Sequence, residues 1–203
     1  GATWSTDAPT TDVPITDVPT QEDYASYALS FDGTDDYVSL PKFDLSAGDE
    51  ITISAWLKPD EGSLSSTRTW IRQDYGEPHW SLQFDPSGPK LKGGLHTNGS
   101  YDKLEVNITA SDYTDGWHHL VLTYDGTTKT LYKDGSSIGS DTDNSGNLDY
   151  NSSASHAIGR HPTSSEYFDG AIDDVSIWNS SLSGNEVTAI YNSGTPLDLS
   201  SNS

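Results

Sequence analysis

The chain has no cysteine and no methionine among its 203 residues. Without cysteine no disulfide can staple the fold, and thiolate nucleophiles and thiolate zinc ligands are excluded. Without methionine at position 1, the sequence reads as a piece excised from a longer protein. Positive charge is scarce as well: 10 Lys and Arg, three of them Arg, stand against 31 Asp and Glu, for a formal net charge of -21. Such a surface repels nucleic acid and anionic membranes, which excludes both as partners. No run of 18 apolar residues and no basic-then-apolar leader is present, so no segment is expected to insert directly into a membrane. Hydrophobic residues make up 32%, below the roughly 45–50% of an average globular chain. Ser, Thr, Asp, Asn and Gly fill the deficit, and these residues favour turns and solvated loops.

A short repeat opens the chain: TDAPT at 6–10, TDVPI at 11–15 and TDVPT at 16–20. A proline every fifth residue removes backbone donors and forbids a helix, while the Asp residues keep the segment hydrated. Residues 1–23 therefore read as a linker or as a disordered tail, residues 24–196 as one folded domain, and residues 197–203 as a flexible tail. Between Tyr24 and about residue 178 there is no amphipathic helix of useful length. A dozen short runs rich in β-branched and aromatic residues, among them ITISAWLKP, HWSLQF and WHHLVLTYD, are separated by Gly, Asp, Asn and Pro every 8–12 residues or so. Asp125-Gly126 and Asp134-Gly135 bracket TTKTLYK and predict a meander of three antiparallel strands with tight turns. One helix is expected in SLSGNEVTAIYNSG, with Ser183 as N-cap, Glu186 as its reciprocal partner and Asn192-Ser193-Gly194 as the stop.

Four segments, ALSFDGTDDYVSL (28–40), ITISAWLKPD (51–60), DGWHHLVLTYDGTTKTLYKDGSSIG (115–139) and FDGAIDDVSIWNSSLSGNEVTAIYNSG (168–194), together resemble the laminin-G-like jelly rolls of the concanavalin A-like superfamily, a branch related to pentraxins. The resemblance implies an all-β, two-sheet antiparallel β-sandwich with one short C-terminal helix and chain ends close together. Close ends and a Thr/Pro linker suit a module strung with flanking domains in one polypeptide.

The same sandwich also supports glycoside hydrolases, which use two glutamates flanking an aspartate on one strand. Glu-x-Asp-x-x-Glu does not occur, and the adjacent Asp173 and Asp174 in AIDDVSIW point to opposite faces of a strand. No Gly-x-Ser-x-Gly, phosphate-binding glycine loop or HExxH is present either, so the domain reads as non-catalytic. His118 and His119 diverge for the same reason as the Asp pair and read as packing residues. Calcium is the expected cofactor. Asp outnumbers Glu 24 to 7, and in FDGTDDYV the flexible Gly33 lets Asp32, Asp35 or Asp36 turn inward as oxygen ligands for Ca²⁺. The resemblance pairs this early turn with the late strand GAIDDV and so nominates Asp173 as the partner carboxylate, with Asp174 as substitute. The plain alternative is an Asp-rich hairpin turn beside a buried Asp bonded to backbone amides.

For ligand binding, alternation in HWSLQF puts Trp80, Leu82 and Phe84 inward and His79, Ser81 and Gln83 outward. Arg72 opposes Ile71, with Trp70 expected beside it. Loop residues Tyr75, Arg160, His161 and Tyr167 complete the set. Arg72 and Arg160 are candidate carboxylate or hydroxyl clamps, and Trp70, Tyr75 and Tyr101 candidate platforms for sugar rings. Each could equally be a salt-bridged or solvated surface residue. Sequons at Asn98, Asn107, Asn151 and Asn179 matter only if the host glycosylates. The expectation is an extracellular or cell-surface recognition and adhesion module, with a glycan or a cell-surface protein as partner. The rival expectations are a structural spacer without a ligand and an accessory carbohydrate-binding module of a secreted hydrolase.

Overall fold

The computed structural model describes residues 2–5, 28–41, 48–60, 68–75, 77–85, 89–109, 111–150, 154–162 and 165–194. Thirteen strands are found among them: β1 (Thr3–Ser5), β2 (Ala28–Asp32), β3 (Val38–Leu40), β4 (Ile51–Pro59), β5 (Arg68–Tyr75), β6 (Glu77–Asp85), β7 (Lys90–Thr97), β8 (Ser100–Asn107), β9 (His118–Tyr124), β10 (Lys129–Lys133), β11 (Ser136–Asp141), β12 (Ser155–Ile158) and β13 (Asp169–Trp178). A short helix, α1 (Ser111–Thr114), precedes β9, and α2 (Gly184–Tyr191) follows β13. The strands form a seven-stranded sheet in the order β1-β2-β13-β4-β9-β10-β11 and a six-stranded sheet in the order β3-β12-β5-β6-β7-β8. Every strand pairing is antiparallel.

Alternation explains the layering. Ile51, Ile53, Ala55 and Leu57 of β4 and Leu120, Leu122 and Tyr124 of β9 face Trp80, Leu82 and Phe84 of β6 and Leu91 and Leu95 of β7 in one continuous core. Among the described residues one cation enters between the sheets. Lys129 of β10, 1% exposed, meets Asp102 of β8, Asp141 at 3.2 Å and the Asp143 carbonyl at 2.7 Å, so its buried charge is both paired and hydrogen-bonded.

The other face of the seven-stranded sheet is covered by α2. Tyr191 stacks on Trp56, with ring centroids 5.7 Å apart, and on His119 at 6.1 Å, while Val187 is fully buried. Both halves of the expected capping box form: the Ser183 side chain accepts from Glu186 N–H, and the Glu186 carboxylate accepts from Ser183 N–H at 2.7 Å. Asn192, in the left-handed region at φ 46°, ends the helix.

Three expectations meet a different structure. The meander β9-β10-β11 forms, but only Asp134-Gly135 is a two-residue turn. At Asp125 the turn is longer, and the Asp125 carboxylate accepts from Thr127 N–H and Thr128 N–H at 2.9 and 2.7 Å. Within the expected linker, Thr3–Ser5 pairs with Ala28–Ser30 as an edge strand, so the first residues add to the sheet. The TDxP repeats, the expected domain start at Tyr24 and the tail at 197–203 lie outside the described residues. FDGTDDYV is not a hairpin turn: β2 belongs to the seven-stranded sheet and β3 to the six-stranded one, so the segment is a corner where the chain crosses between layers.

Candidate functional site

Two places gather the candidate residues, the outer face of the six-stranded sheet and the corner between β2 and β3. On the outer face one row runs across all six strands: Ser39, Ala157, Arg72, Ser81, Gly94 and Lys103 lie opposite one another in register. Four of these six are small, so the middle of the face is a trough. Five inter-strand steps make it about 24 Å long.

Tyr101 lies down in this trough. Its hydroxyl is 2.8 Å from Ser81 Oγ, and a Cβ placed on Gly94 would come within 2.0 Å of that hydroxyl, so only glycine at 94 leaves room for the ring. Lys103 Nζ stands 5.8 Å from the Tyr101 ring centroid. The next row is a polar floor: Thr69 Oγ1 donates to Glu166 at 3.3 Å and accepts from Gln83 Nε2 at 3.5 Å. Beside it Lys92 holds Asp85 at 2.5 Å and Glu105 at 2.9 Å, and Lys90 also reaches Glu105, at 2.7 Å. Lys90 and Lys92 hold the Glu105 carboxyl below the usual carboxylate range.

At the other end of the face, His79 Nδ1 donates to the Asp149 carbonyl at 3.1 Å and His96 Nδ1 to the Asp149 carboxylate at 2.6 Å, with the two rings 5.3 Å apart. Burial pushes the Asp149 carboxyl up, but the Gly99 N–H and His96 outweigh it and keep the carboxyl low. At the β3/β12 edge the Arg160 guanidinium lies 3.6 Å from the centroid of the Tyr37 ring, which is 39% exposed. Tyr167 bridges to Arg160 through the backbone, and His161 N–H donates to the Glu166 carbonyl.

The outward placement of His79, Ser81 and Gln83 matches the alternation, and Arg72, 8% exposed, lies in the same trough. Trp70 does not. A bulge between Thr69 and Ile71 turns it into the core, where it is 1% exposed and stacks on Tyr113 at 5.8 Å. Tyr75 ends β5, and its side chain lies outside the described residues. Tyr37 and Lys103 were missed, as was Gly94; two consecutive glycines inside the strand KLKGGLH were the signal.

At the corner, ligand oxygens of Asp32, Asp35 and Asp36 lie within 4.8 Å of one another. The geometry follows from local hydrogen bonding. Asp32 Oδ1 accepts from Thr34 N–H at 2.8 Å and Asp35 N–H at 3.4 Å, and Asp36 Oδ2 accepts from Asp32 N–H at 3.2 Å. The Thr34 N–H leads in holding the Asp32 carboxyl below its ordinary value. Asp173 is not brought here. The antiparallel register sets Asp169 opposite Asp32, whereas Asp173 pairs with Trp56, four residues or about 13 Å further along β13. Asp174 sits exposed on a bulge at φ 45° and lies one residue further still along the strand. Asp169 packs against Gly33, where an added Cβ would meet the Asp169 Cβ at 2.9 Å, so the carboxylate beside the corner is the one four residues earlier than expected. All donors at this corner are hard oxygens, the set that suits Ca²⁺.

His118 and His119 do diverge. His118 lies 2.9 Å from Asp134 and 2.8 Å from Asp115, while His119 faces α2 with Nε2 2.7 Å from Ser54 Oγ. A cleft of about 430 Å³ lies elsewhere, between Gly48–Glu50, Asp125–Thr127 and Gly146–Asn147. Its lining contains neither an aromatic ring nor a cation, so the row on the six-stranded sheet is the better-equipped surface.

The laminin-G model of the concanavalin A-like lectin/glucanases superfamily matches residues 32–188. The chain is 26% identical over 155 residues to the adhesion G-protein coupled receptor V1 of Danio rerio, a match over 73% of this chain and 2% of the receptor. Among solved structures, the binding domain of Paraclostridial Mosquitocidal Protein 1 superposes with a TM-score of 0.66 at 16% identity, over 95% of this chain and 47% of that one. The heptameric SAP-like pentraxin of Limulus polyphemus gives 0.57 at 19% identity, over 80% of each chain. These two likenesses show the fold, and the chain spans a small fraction of the receptor and about half of the toxin domain. No helix among the described residues is long and apolar enough to cross a membrane.

Proposed function

Because the chain belongs to the concanavalin A-like lectin/glucanases superfamily, we propose that it is a non-catalytic recognition module that binds glycans through the outer face of its six-stranded sheet. The observation that carries the reading is Tyr101, laid flat over Gly94 and tied to Ser81, an aromatic surface of the kind on which sugar rings stack. Beside the ring, the exposed Lys103 supplies a cationic group for orientation, while the buried Ser81, Thr69 and Gln83 form the floor beneath it. A non-catalytic role is supported by the carboxylates of that face. A glycosidase needs one carboxyl with a raised pKa, whereas Glu105 is held low by Lys90 and Lys92.

The adhesion receptor and the toxin binding domain lend support, through their names, to a place at the cell surface or outside the cell, within a larger protein. Replacing Tyr101 by Ala should lower glycan affinity roughly tenfold or more, as loss of a central aromatic anchor does, with an unchanged melting temperature. Tyr101→Phe, which keeps the ring, should bind nearly as the parent does. A glycan array read with both variants tests this. A folded sample that binds no glycan would return the module to a spacer or protein-binding role.

The reading includes a Ca²⁺ ion at the corner, held by Asp32, Asp35 and Asp36 with Asp169 beside them. Three carboxylates this close repel one another, and a divalent cation removes the repulsion. Millimolar Ca²⁺ should therefore raise the melting temperature above that in EDTA, and Asp36→Asn should abolish the difference. Identical melting in Ca²⁺ and EDTA would remove the ion from the account.

A further inference from the structure

We propose that the ligand of the trough is an anionic polysaccharide, a chain bearing a carboxylate or sulfate group in its repeat, laid across the strands between Lys103 and Arg160. The proposal rests on the glycan reading of the same face and adds the ligand's charge and its chain-like form.

The distribution of charge carries it. The whole sequence has 31 acidic residues against 10 basic ones, so cations placed without constraint would be scattered among carboxylates. They are not scattered. Side chains are described for Lys58, Lys129 and Lys133 on the seven-stranded sheet, and for Arg72, Lys90, Lys92 and Lys103 on the outer face of the six-stranded sheet, with Arg160 at its edge. Five of these eight cations therefore serve one face. Two of its described carboxylates, Asp85 and Glu105, are already taken up by Lys90 and Lys92. Glu166 reaches only the floor, at Thr69. Lys103 is exposed and makes no ion pair among the described residues, and neither does Arg160. Arg160 Nε is buried without a hydrogen-bond partner, and its guanidinium is held flat by Tyr37. Arg72, mostly buried between them, adds its charge from beneath the surface.

These positions are spread out, which decides the form of the ligand. Lys103 and Arg72 stand three strands apart, about 14 Å, and Arg160 lies beyond Arg72 at the far edge. A single terminal acidic sugar can reach one of these cations. A repeating acidic chain can reach Lys103 and Arg160 together while crossing the Tyr101 ring and passing over the buried Arg72. The net charge of the protein does not forbid this, because at physiological ionic strength the Debye length is about 8 Å, so acidic loops farther away are largely screened.

Calorimetric titration of the protein with polygalacturonate, heparin and neutral dextran of matched length tests the proposal. Binding of polygalacturonate or heparin is expected, the tighter of the two identifying carboxylate or sulfate as the recognised group. Dextran should bind at least roughly tenfold more weakly, and the acidic complexes should weaken between about 0.15 and 1 M salt. Lys103→Glu and Arg160→Gln should each weaken acidic binding roughly tenfold, and Lys103→Arg should preserve it, with melting temperature as the check on folding. Dextran bound as tightly as the acidic polymers, with no effect of Lys103→Glu, would overturn the proposal, and loss of that binding in Tyr101→Ala would leave the glycan reading standing. Folded protein that binds none of the three polymers overturns the proposal and counts against both readings.

Discussion

Trp70→Ala is expected to cost about 3–5 kcal/mol of stability, the range for removing a large aromatic from a core. In a chain of about 200 residues that corresponds to a fall of roughly 10 °C in melting temperature. The cost follows from position: Trp70 is 1% exposed and lies nearly parallel to Tyr113, with an interplanar angle of 8°. Tyr113 itself is fully buried on α1, and its hydroxyl has no hydrogen-bond partner. The pair plugs one end of the sandwich by packing alone. Trp70→Phe keeps a ring against Tyr113 and should recover much of the loss. Glycan affinity of the folded fraction should be unaffected by either change. A Trp70→Ala protein that melts normally but has lost its ligand would put Trp70 back on the binding face.

Acidification from pH 7 to pH 4 should destabilise the fold by about 3 kcal/mol through one group, His119. Burial beneath α2, opposed in part by the charge of Asp134, lowers its pKa from 6.5 to about 4. The unfolded chain therefore takes up a proton near pH 6.5 that the folded protein refuses until about pH 4. Stability is complete above pH 6.5, falls by about 1.4 kcal/mol per pH unit below it, and levels off once both states are protonated. The physical obstacle is visible. His119 Nδ1 is buried with no acceptor, so the imidazolium would carry an unsatisfied N–H between Trp56 and Tyr191. Carboxylates held low in the fold, such as Glu105 and Asp134, lose their contribution mainly below this window. Chemical denaturation at pH 7, 5.5 and 4 measures the slope. In the double variant Ser54→Ala/His119→Phe, which removes both partners of the buried hydrogen bond, the slope between pH 6.5 and 4 should vanish. A slope that persists there would assign the loss to other groups.

What could be read from the sequence depended on how local the cause was. The capping box at Ser183 and Glu186 and the Asp134-Gly135 turn are settled by neighbours within four residues, and both formed. The alternation of HWSLQF held because β6 has one regular face. Trp70 was misplaced because a single-residue bulge inverts the facing of a strand, and TWIRQ carries no mark of it. Asp173 was nominated from the resemblance alone, with Asp174 as substitute, and Asp169 in the same late strand was missed, because only register, a property of two strands about 140 residues apart, selects it. Tyr101 was identified, but its bed was not. Gly93 and Gly94 point to opposite faces: a Cβ on the first would lie 2.8 Å from Leu122, and on the second 2.0 Å from the Tyr101 hydroxyl. The sequence announces two glycines and leaves unstated which neighbours they admit.

The position of β13 has a kinetic consequence. It is the last of the described strands in chain order, yet it lies inside the seven-stranded sheet, between β2 and β4. Its partner Ala28–Asp32 leaves the ribosome long before it, and the loop between them must close before either pairing is rewarded. Folding should therefore be slow, on the milliseconds-to-seconds scale of non-local β topologies. A nascent chain halted before Asp169 would leave β2 and β4 each unpaired on the side that β13 fills in the finished sheet, in addition to the outer edges at β1 and β11. The period of greatest exposure to aggregation thus falls during synthesis, and it ends when the residues that carry Asp169 to the corner arrive.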